Sequence, residues 1–224
     1  MKKWFSAALV FLCVPLILWL GFTVFRGKEY AFCSMACALL SCGVFFLSFE
    51  KRQGELLRLL LVAVMVALCI GGRILCSALP TFKPVAALSI LTGLYFGAEA
   101  GFLTGSLSAV LSNFYFGQGP WTPFQMFAWG IVGFGAGLLA KLLQKSRIML
   151  LLYGAFGGVA YSFVMDVYTV LWQDNAFHVA RYIAAVVAAL PHTISYIVSN
   201  VVFLFLLAVP VGRTLQRVKS KYGL

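Results

Sequence analysis

The sequence predicts an all-α, polytopic membrane helical bundle, and three observations lead there. Of the 224 residues, 62% are hydrophobic and only 10% charged, a balance too apolar for a soluble domain. The apolar letters fall in runs long enough to cross a hydrocarbon core of roughly 30 Å as helices, rather than in the alternating pattern of half-buried strands. Short charged, glycine- or proline-bearing segments separate the runs.

Taken in order, the runs predict helices over residues 4–24, 30–49, 57–78, 84–97, 99–115, 122–143, 148–172 and 180–208. Lys2 and Lys3 precede the first run as they would a secretory signal, yet no small-residue cleavage pattern follows, and Arg26-Gly27-Lys28-Glu29 leads straight into the second run. A retained first span is expected. The charged segment Glu50-Lys51-Arg52-Gln53-Gly54-Glu55 then divides the chain into a two-helix transmembrane extension, 1–52, and a six-helix membrane domain with a basic tail, 53–224. The fourth and fifth runs are short and separated only by Gly97-Ala98, which fits either a tight helical hairpin or a broken helix. The last run holds Pro191, expected to bend it, and a tail is expected from Pro210.

Lysine and arginine number 17 against 6 acidic residues, a net charge of +11. No compact basic domain stands apart from the spans, so the excess points to the positive-inside rule and not to nucleic acid. Placing the N-terminus inside puts Lys2, Lys3, Lys51, Arg52, Arg58, Lys141, Lys145, Arg147, Arg213, Arg217, Lys219 and Lys221 in the cytoplasm. Both termini are then cytoplasmic, in a bacterial plasma membrane, and the 113–126 stretch lies outside. Cys13, Cys33, Cys37, Cys42, Cys69 and Cys76 all sit in apolar runs without a nearby histidine, and read as small buried hydrophobes rather than metal ligands. No cofactor or metal is expected. No G-x-x-x-x-G-K-[ST] occurs, so the chain is not its own ATPase.

Within the six-helix unit, small or polar residues recur at every fourth position: Ala63, Ala67 and Gly71; Gly97, Gly101, Gly105, Ala109 and Asn113; Gly154, Gly158, Ser162 and Asp166; Ala184, Ala188, His192, Tyr196 and Asn200. Such rows let helix backbones approach closely in lipid, and Gly133 with Gly137 adds another pair. Arg73, Lys83, Asp166 and His192 are ionisable groups near membrane depth, costly unless paired, wetted or functional. Mutual neutralisation of Arg73 and Asp166 is expected.

The most polar stretch of the unit is Asn113-Phe114-Tyr115-Phe116-Gly117-Gln118-Gly119-Pro120-Trp121-Thr122-Pro123-Phe124-Gln125-Met126. Its glycines and prolines break any helix. Its amides and flat rings are the mix of a mostly apolar ligand pocket with a few placed polar groups, and they equally suit an inter-helix turn with interfacial aromatics. The candidate substrate contacts are Lys83, Asn113, Tyr115, Phe116, Gln118, Trp121, Gln125, Tyr168, Trp172 and His192. Tyr161, Asp174 and His178 fall on the facing wall.

With these residues in view, the unit over 57–208 resembles the substrate-binding S component of an energy-coupling factor (ECF) vitamin transporter. The Ala63-x-x-x-Ala67 pair and the 114–123 loop carry the resemblance, and the loop looks most like S components assigned to cobalamin and related corrinoids. The resemblance implies that the loop around Thr81, Phe82 and Lys83, with the 114–121 loop, gates an outward-facing pocket. It also implies that Ala63 and Ala67 dock on a transmembrane T subunit linked to two ATPase subunits, and that toppling of the S component carries the vitamin inward. The residues themselves suit queuosine-like nucleobases or flavins as well as corrinoids. A rhomboid-type serine protease built on Ser106 and His192 is the alternative from another class, and Leu107 stands where that family has glycine.

Overall fold

A computed structural model describes residues 12, 15–16, 55–79, 81–174 and 177–222. Apart from residues 12, 15 and 16, the two-helix extension expected over 1–52 lies outside the described residues. The rest is helical, with no strand among the described residues: α1 (Glu55–Leu75), α2 (Val85–Phe96), α3 (Ala98–Phe116), α4 (Thr122–Leu138), α5 (Ala140–Leu143), α6 (Arg147–Asp174), α7 (Val179–Ala188) and α8 (Leu190–Tyr222). By length and apolarity, α6, α8 and residues Leu56–Leu75 of α1 are candidate membrane spans, while α2 and α7 are shorter apolar helices.

Gly97 resolves the choice between hairpin and broken helix. Its φ of 99° is open to glycine and strained for other residues, and the chain reverses there. A Cβ on Gly101 would lie 2.7 Å from the Cα of Gly93, so α2 and α3 touch at glycines four residues either side of the turn. The same face receives α4. Gly101 meets Gly133, Gly105 meets the Trp129 and Gly130 backbone, and Gly137 meets Ala98, each too close for a side chain. These rows are packing surfaces that bring backbones together where lipid supplies no hydrophobic drive.

A second close seam joins α6 to α8 in antiparallel register. Asn200 Nδ2 donates to the Gly154 carbonyl at 3.0 Å, a Cβ on Gly158 would lie 2.7 Å from the Ile197 nitrogen, and the Ser162 and Thr193 hydroxyls are 2.6 Å apart. Phe102, Phe134, Met65, Ile90, Leu91 and Leu204 are among the largest side chains fully buried in the core.

The expected single helix over 180–208 is two. It breaks at Ala189, and Pro191 falls in the first turn of α8, where a missing N–H costs nothing. The helix then runs through Pro210 to Tyr222 instead of ending there. Tertiary contacts explain the continuation: Gly212 packs under the Tyr95 hydroxyl, Leu215 is buried, and Lys219 Nζ donates to the Tyr95 carbonyl at 2.8 Å. Arg58 donates to the Phe96 carbonyl and Gln144 Nε2 to the Leu94 carbonyl at 2.8 Å. Side chains from three elements thus satisfy the orphan carbonyls that end α2.

These contacts fix the bundle's two ends. Arg58, Lys141, Lys145, Arg147, Arg213, Arg217, Lys219 and Lys221 belong to one, while Arg73, Lys83 and Arg181 belong to the other.

Candidate functional site

At the end with few charges, the connection from α1 to α2 lies over the start of α8. Ser199 Oγ accepts from the Lys83 backbone N–H at 2.9 Å and donates to the Lys83 carbonyl at 3.1 Å. The Thr81 and Ser195 hydroxyls are hydrogen-bonded, and the Phe82 ring packs on Phe203 with centroids 4.8 Å apart. Beneath this strap is a cavity lined by Thr81, Lys83, Ala86, Trp129, Tyr161, Tyr196 and Asn200. It is of water-molecule size in this conformation, so a larger ligand enters only when a wall moves, and the strap is the wall not built into a long helix.

Aromatic rings shape the interior wall. Trp129 of α4 stacks on Tyr161 of α6 with centroids 5.2 Å apart and planes inclined by 21°. Tyr161 meets Tyr196 of α8 edge-on at 4.7 Å. Each tyrosine combines a flat ring with a hydroxyl, which suits a flat ligand with polar edges.

Behind this wall runs a hydrogen-bonded chain. Arg73 Nη1 donates to Ser112 and to Asn113 Oδ1 at 2.7 Å. Asn113 Nδ2 donates to Thr122 Oγ1 and Gln125 Oε1, both at 2.9 Å, and Gln125 Nε2 reaches the Tyr161 hydroxyl at 3.3 Å. Gln118 Nε2 donates to the Val110 carbonyl at 2.8 Å, while its oxygen accepts from Thr122 at 3.0 Å. The amides of the 113–126 stretch are thus largely spent on fastening the loop to α3 and α4 and on orienting Tyr161.

Among the ten predicted contacts, Lys83 alone lines this cavity. Phe116 stands beside it, under both Lys83 and Arg73, and Asn113 and Gln125 act through the chain just described. Trp121 folds back over Gly119 of its own loop. Tyr168 stacks on Trp172 and meets Phe124 at a tilt. The structure does not bring Tyr115, Trp172 and His192 to the cavity: Tyr115 is 68% and Trp172 50% exposed, and His192 is exposed at the start of α8. The physical reason is helical phase, since Tyr115 follows the inward-facing Asn113 by two positions, and Pro191 opens α8 instead of bending its interior.

The expected Arg73–Asp166 pair does not form. Arg73 bonds to α3, whereas Asp166 sits on the α6–α8 side with one carboxylate oxygen buried and unpartnered. Among the described residues the ion pair found is Asp174 with Arg181, at 2.9 Å on the surface. Ser106 is buried in α3, so the Ser106–His192 alternative joins an interior residue to an exposed one. No group of three or more His, Cys, Asp or Glu side chains that could hold a metal occurs among the described residues.

Tyr161, expected on the facing wall, does line the cavity, whereas Trp129, Tyr196 and Asn200 are cavity residues absent from the predicted contacts. The four-residue step from Tyr196 to Asn200 was their visible signal, while Trp129 reads as core inside its apolar run.

A helical membrane bundle with an aromatic-walled cavity at one end, roofed by an inter-helix strap, defines a multi-pass membrane protein with a site inside its bundle. The model of one family, described as ECF-type riboflavin transporter, S component, matches residues 55–217, and the chain belongs to that family. It is therefore a transporter subunit. No curated protein and no solved structure matches the chain significantly. The match supports the ECF S-component expectation and does not carry its corrinoid preference.

Proposed function

We propose that the chain is the vitamin-capturing subunit of an ECF importer and that its substrate is a flavin of the riboflavin type. The observation that carries the choice is the Trp129–Tyr161–Tyr196 wall, read with the family's description. An isoalloxazine is a rigid flat tricycle that stacks on such rings, and its carbonyls and ring nitrogens match the Tyr161 and Tyr196 hydroxyls and the Asn200 amide. The family's description names riboflavin and not a corrinoid.

In this reading the cavity end faces outward and the basic end faces the cytoplasm, in keeping with the distribution of lysine and arginine. The strap at Thr81–Lys83 opens to admit the vitamin and closes by re-forming its bonds to Ser195 and Ser199. Ala63 and Ala67 are exposed small residues on α1, beside an exposed row of Leu56, Leu60, Val64 and Leu68. They form the surface that docks on a T subunit, whose two ATPase partners drive toppling and inward release.

The test is titration of riboflavin into purified protein with flavin fluorescence as readout. Saturable quenching is expected, weakened at least tenfold in Trp129→Ala. Absence of quenching in the parent protein, with cobalamin binding in its place, overturns the substrate assignment.

A further inference from the structure

Among the described residues, two cations converge on the cavity rim without an acidic partner. The Arg73 side chain is 4% exposed, and its guanidinium carbon lies 4.5 Å from the Phe116 ring centroid and 5.2 Å from that of Trp129. Its hydrogen bonds are to neutral acceptors on Ser112 and Asn113, and its Nε is buried with no partner. Lys83 places its ammonium 5.9 Å from the centroid of the same Phe116 ring and lines the cavity.

None of the acidic side chains described neutralises them. Asp174 is paired with Arg181, Asp166 lies on the α6–α8 side, and Glu99 opens α3 at the opposite end of the bundle. Cation–π contact and neutral hydrogen bonds relieve part of the desolvation cost of a buried guanidinium, but not the cost of an uncompensated charge. Two like charges over one ring also repel each other. A single anion between them turns repulsion into two attractions, and a charge kept at membrane depth without an opposite charge is by default a functional-site candidate.

We propose that the substrate carries an anionic oxygen group, a carboxylate or a phosphate monoester, and that Arg73 and Lys83 receive it beside Phe116 while the flat portion lies on Trp129 and Tyr161. Arg73 offers its Nε donor and Lys83 a mobile ammonium, which together suit an oxyanion with more than one acceptor. This inference rests on the cavity being the substrate site and adds to the flavin reading a preference for a charged over a neutral flavin.

The experiment compares riboflavin with riboflavin 5′-phosphate on the purified full chain by fluorescence quenching, in the parent, Arg73→Gln and Lys83→Gln proteins. The phosphate ester is expected to bind at least roughly tenfold more tightly than riboflavin through charge-assisted hydrogen bonds, and each variant is expected to shrink that ratio toward one. Lys83→Gln keeps the test open should Arg73→Gln fail to fold, because Ser199 holds Lys83 by its backbone. Equal or weaker binding of the phosphate ester, or a ratio unchanged in Lys83→Gln, overturns the proposal. Binding of neither flavin instead overturns the flavin reading, and the anion is then judged on pantothenate against panthenol and nicotinate against nicotinamide. Tighter binding of the acid in either pair supports it, and absence of any such preference overturns it.

Discussion

Replacing Ser199 by alanine tests whether the α1–α2 strap is the gate. Ser199 Oγ accepts from the Lys83 N–H at 2.9 Å and donates to the Lys83 carbonyl at 3.1 Å, so one hydroxyl holds both backbone groups of one residue. Each such bond contributes roughly 0.5–1.5 kcal/mol net, and losing both favours the open strap by about 1–3 kcal/mol, a shift of roughly 5- to 150-fold. The Thr81–Ser195 bond and the Phe82–Phe203 contact remain, so the change loosens the strap without unfolding α8. Amide hydrogen exchange across residues 77–83 reads the opening directly, and stopped-flow release of bound flavin reads its consequence. Both rates are expected to rise at least fivefold. Rates that stay within twofold of the parent protein refute the gate, because a strap that opens elsewhere, or not at all, is insensitive to this hydroxyl.

Three further outcomes follow from the same geometry. Gly101→Ala places a methyl 2.7 Å from the Gly133 carbonyl carbon and the Gly93 Cα, backbone atoms that cannot step aside; overpacking of about 1–3 kcal/mol lowers Tm by roughly 2–12 °C, whereas Gly71→Ala, with open space around it, leaves Tm unchanged. Burial, with Arg73's charge adding to it, pushes the Lys83 ammonium down to about 8, so the affinity for riboflavin 5′-phosphate is full below that pH and falls as Lys83 loses its proton above it; titration at pH 6.5 and 9.5 shows the fall, and Lys83→Arg abolishes it. Ala63→Trp or Ala67→Trp on the exposed side of α1 weakens co-purification with a T subunit and leaves Tm and flavin binding intact; undiminished co-purification removes the docking surface from the account.

Apolar run length was enough to find α1, α2, α3, α4 and α6 within a few residues, because in a bilayer-spanning chain backbone satisfaction makes each run a helix. The glycine rows were equally legible: Gly101, Gly105 and Gly133 pack helices as their spacing implies. What failed depends on tertiary contact. Pro210 reads as a helix end until Tyr95 is placed against Gly212, and Pro191 reads as a kink until the chain is seen to break at Ala189. In the site, Asn113, Gln118 and Gln125 stood out for being polar, yet the structure uses them largely to fasten a loop and aim Tyr161. Tyr161 was legible as part of a facing wall, but Trp129 was hidden among other apolar letters, since nothing local distinguishes a cavity wall from a core. Opposite charges at similar depth suggested Arg73 with Asp166, but pairing needs a shared face, and α1 packs on α3.

The most direct measurement is the identity of the small molecule that leaves the bilayer with the protein. Full-length chain purified from cells grown in vitamin-replete medium, then denatured and extracted, is analysed by liquid chromatography and mass spectrometry. The account predicts a flavin at near-stoichiometric amount in the parent protein and its loss from Trp129→Ala. A corrinoid in that extract, or a flavin content untouched by Trp129→Ala, contradicts it.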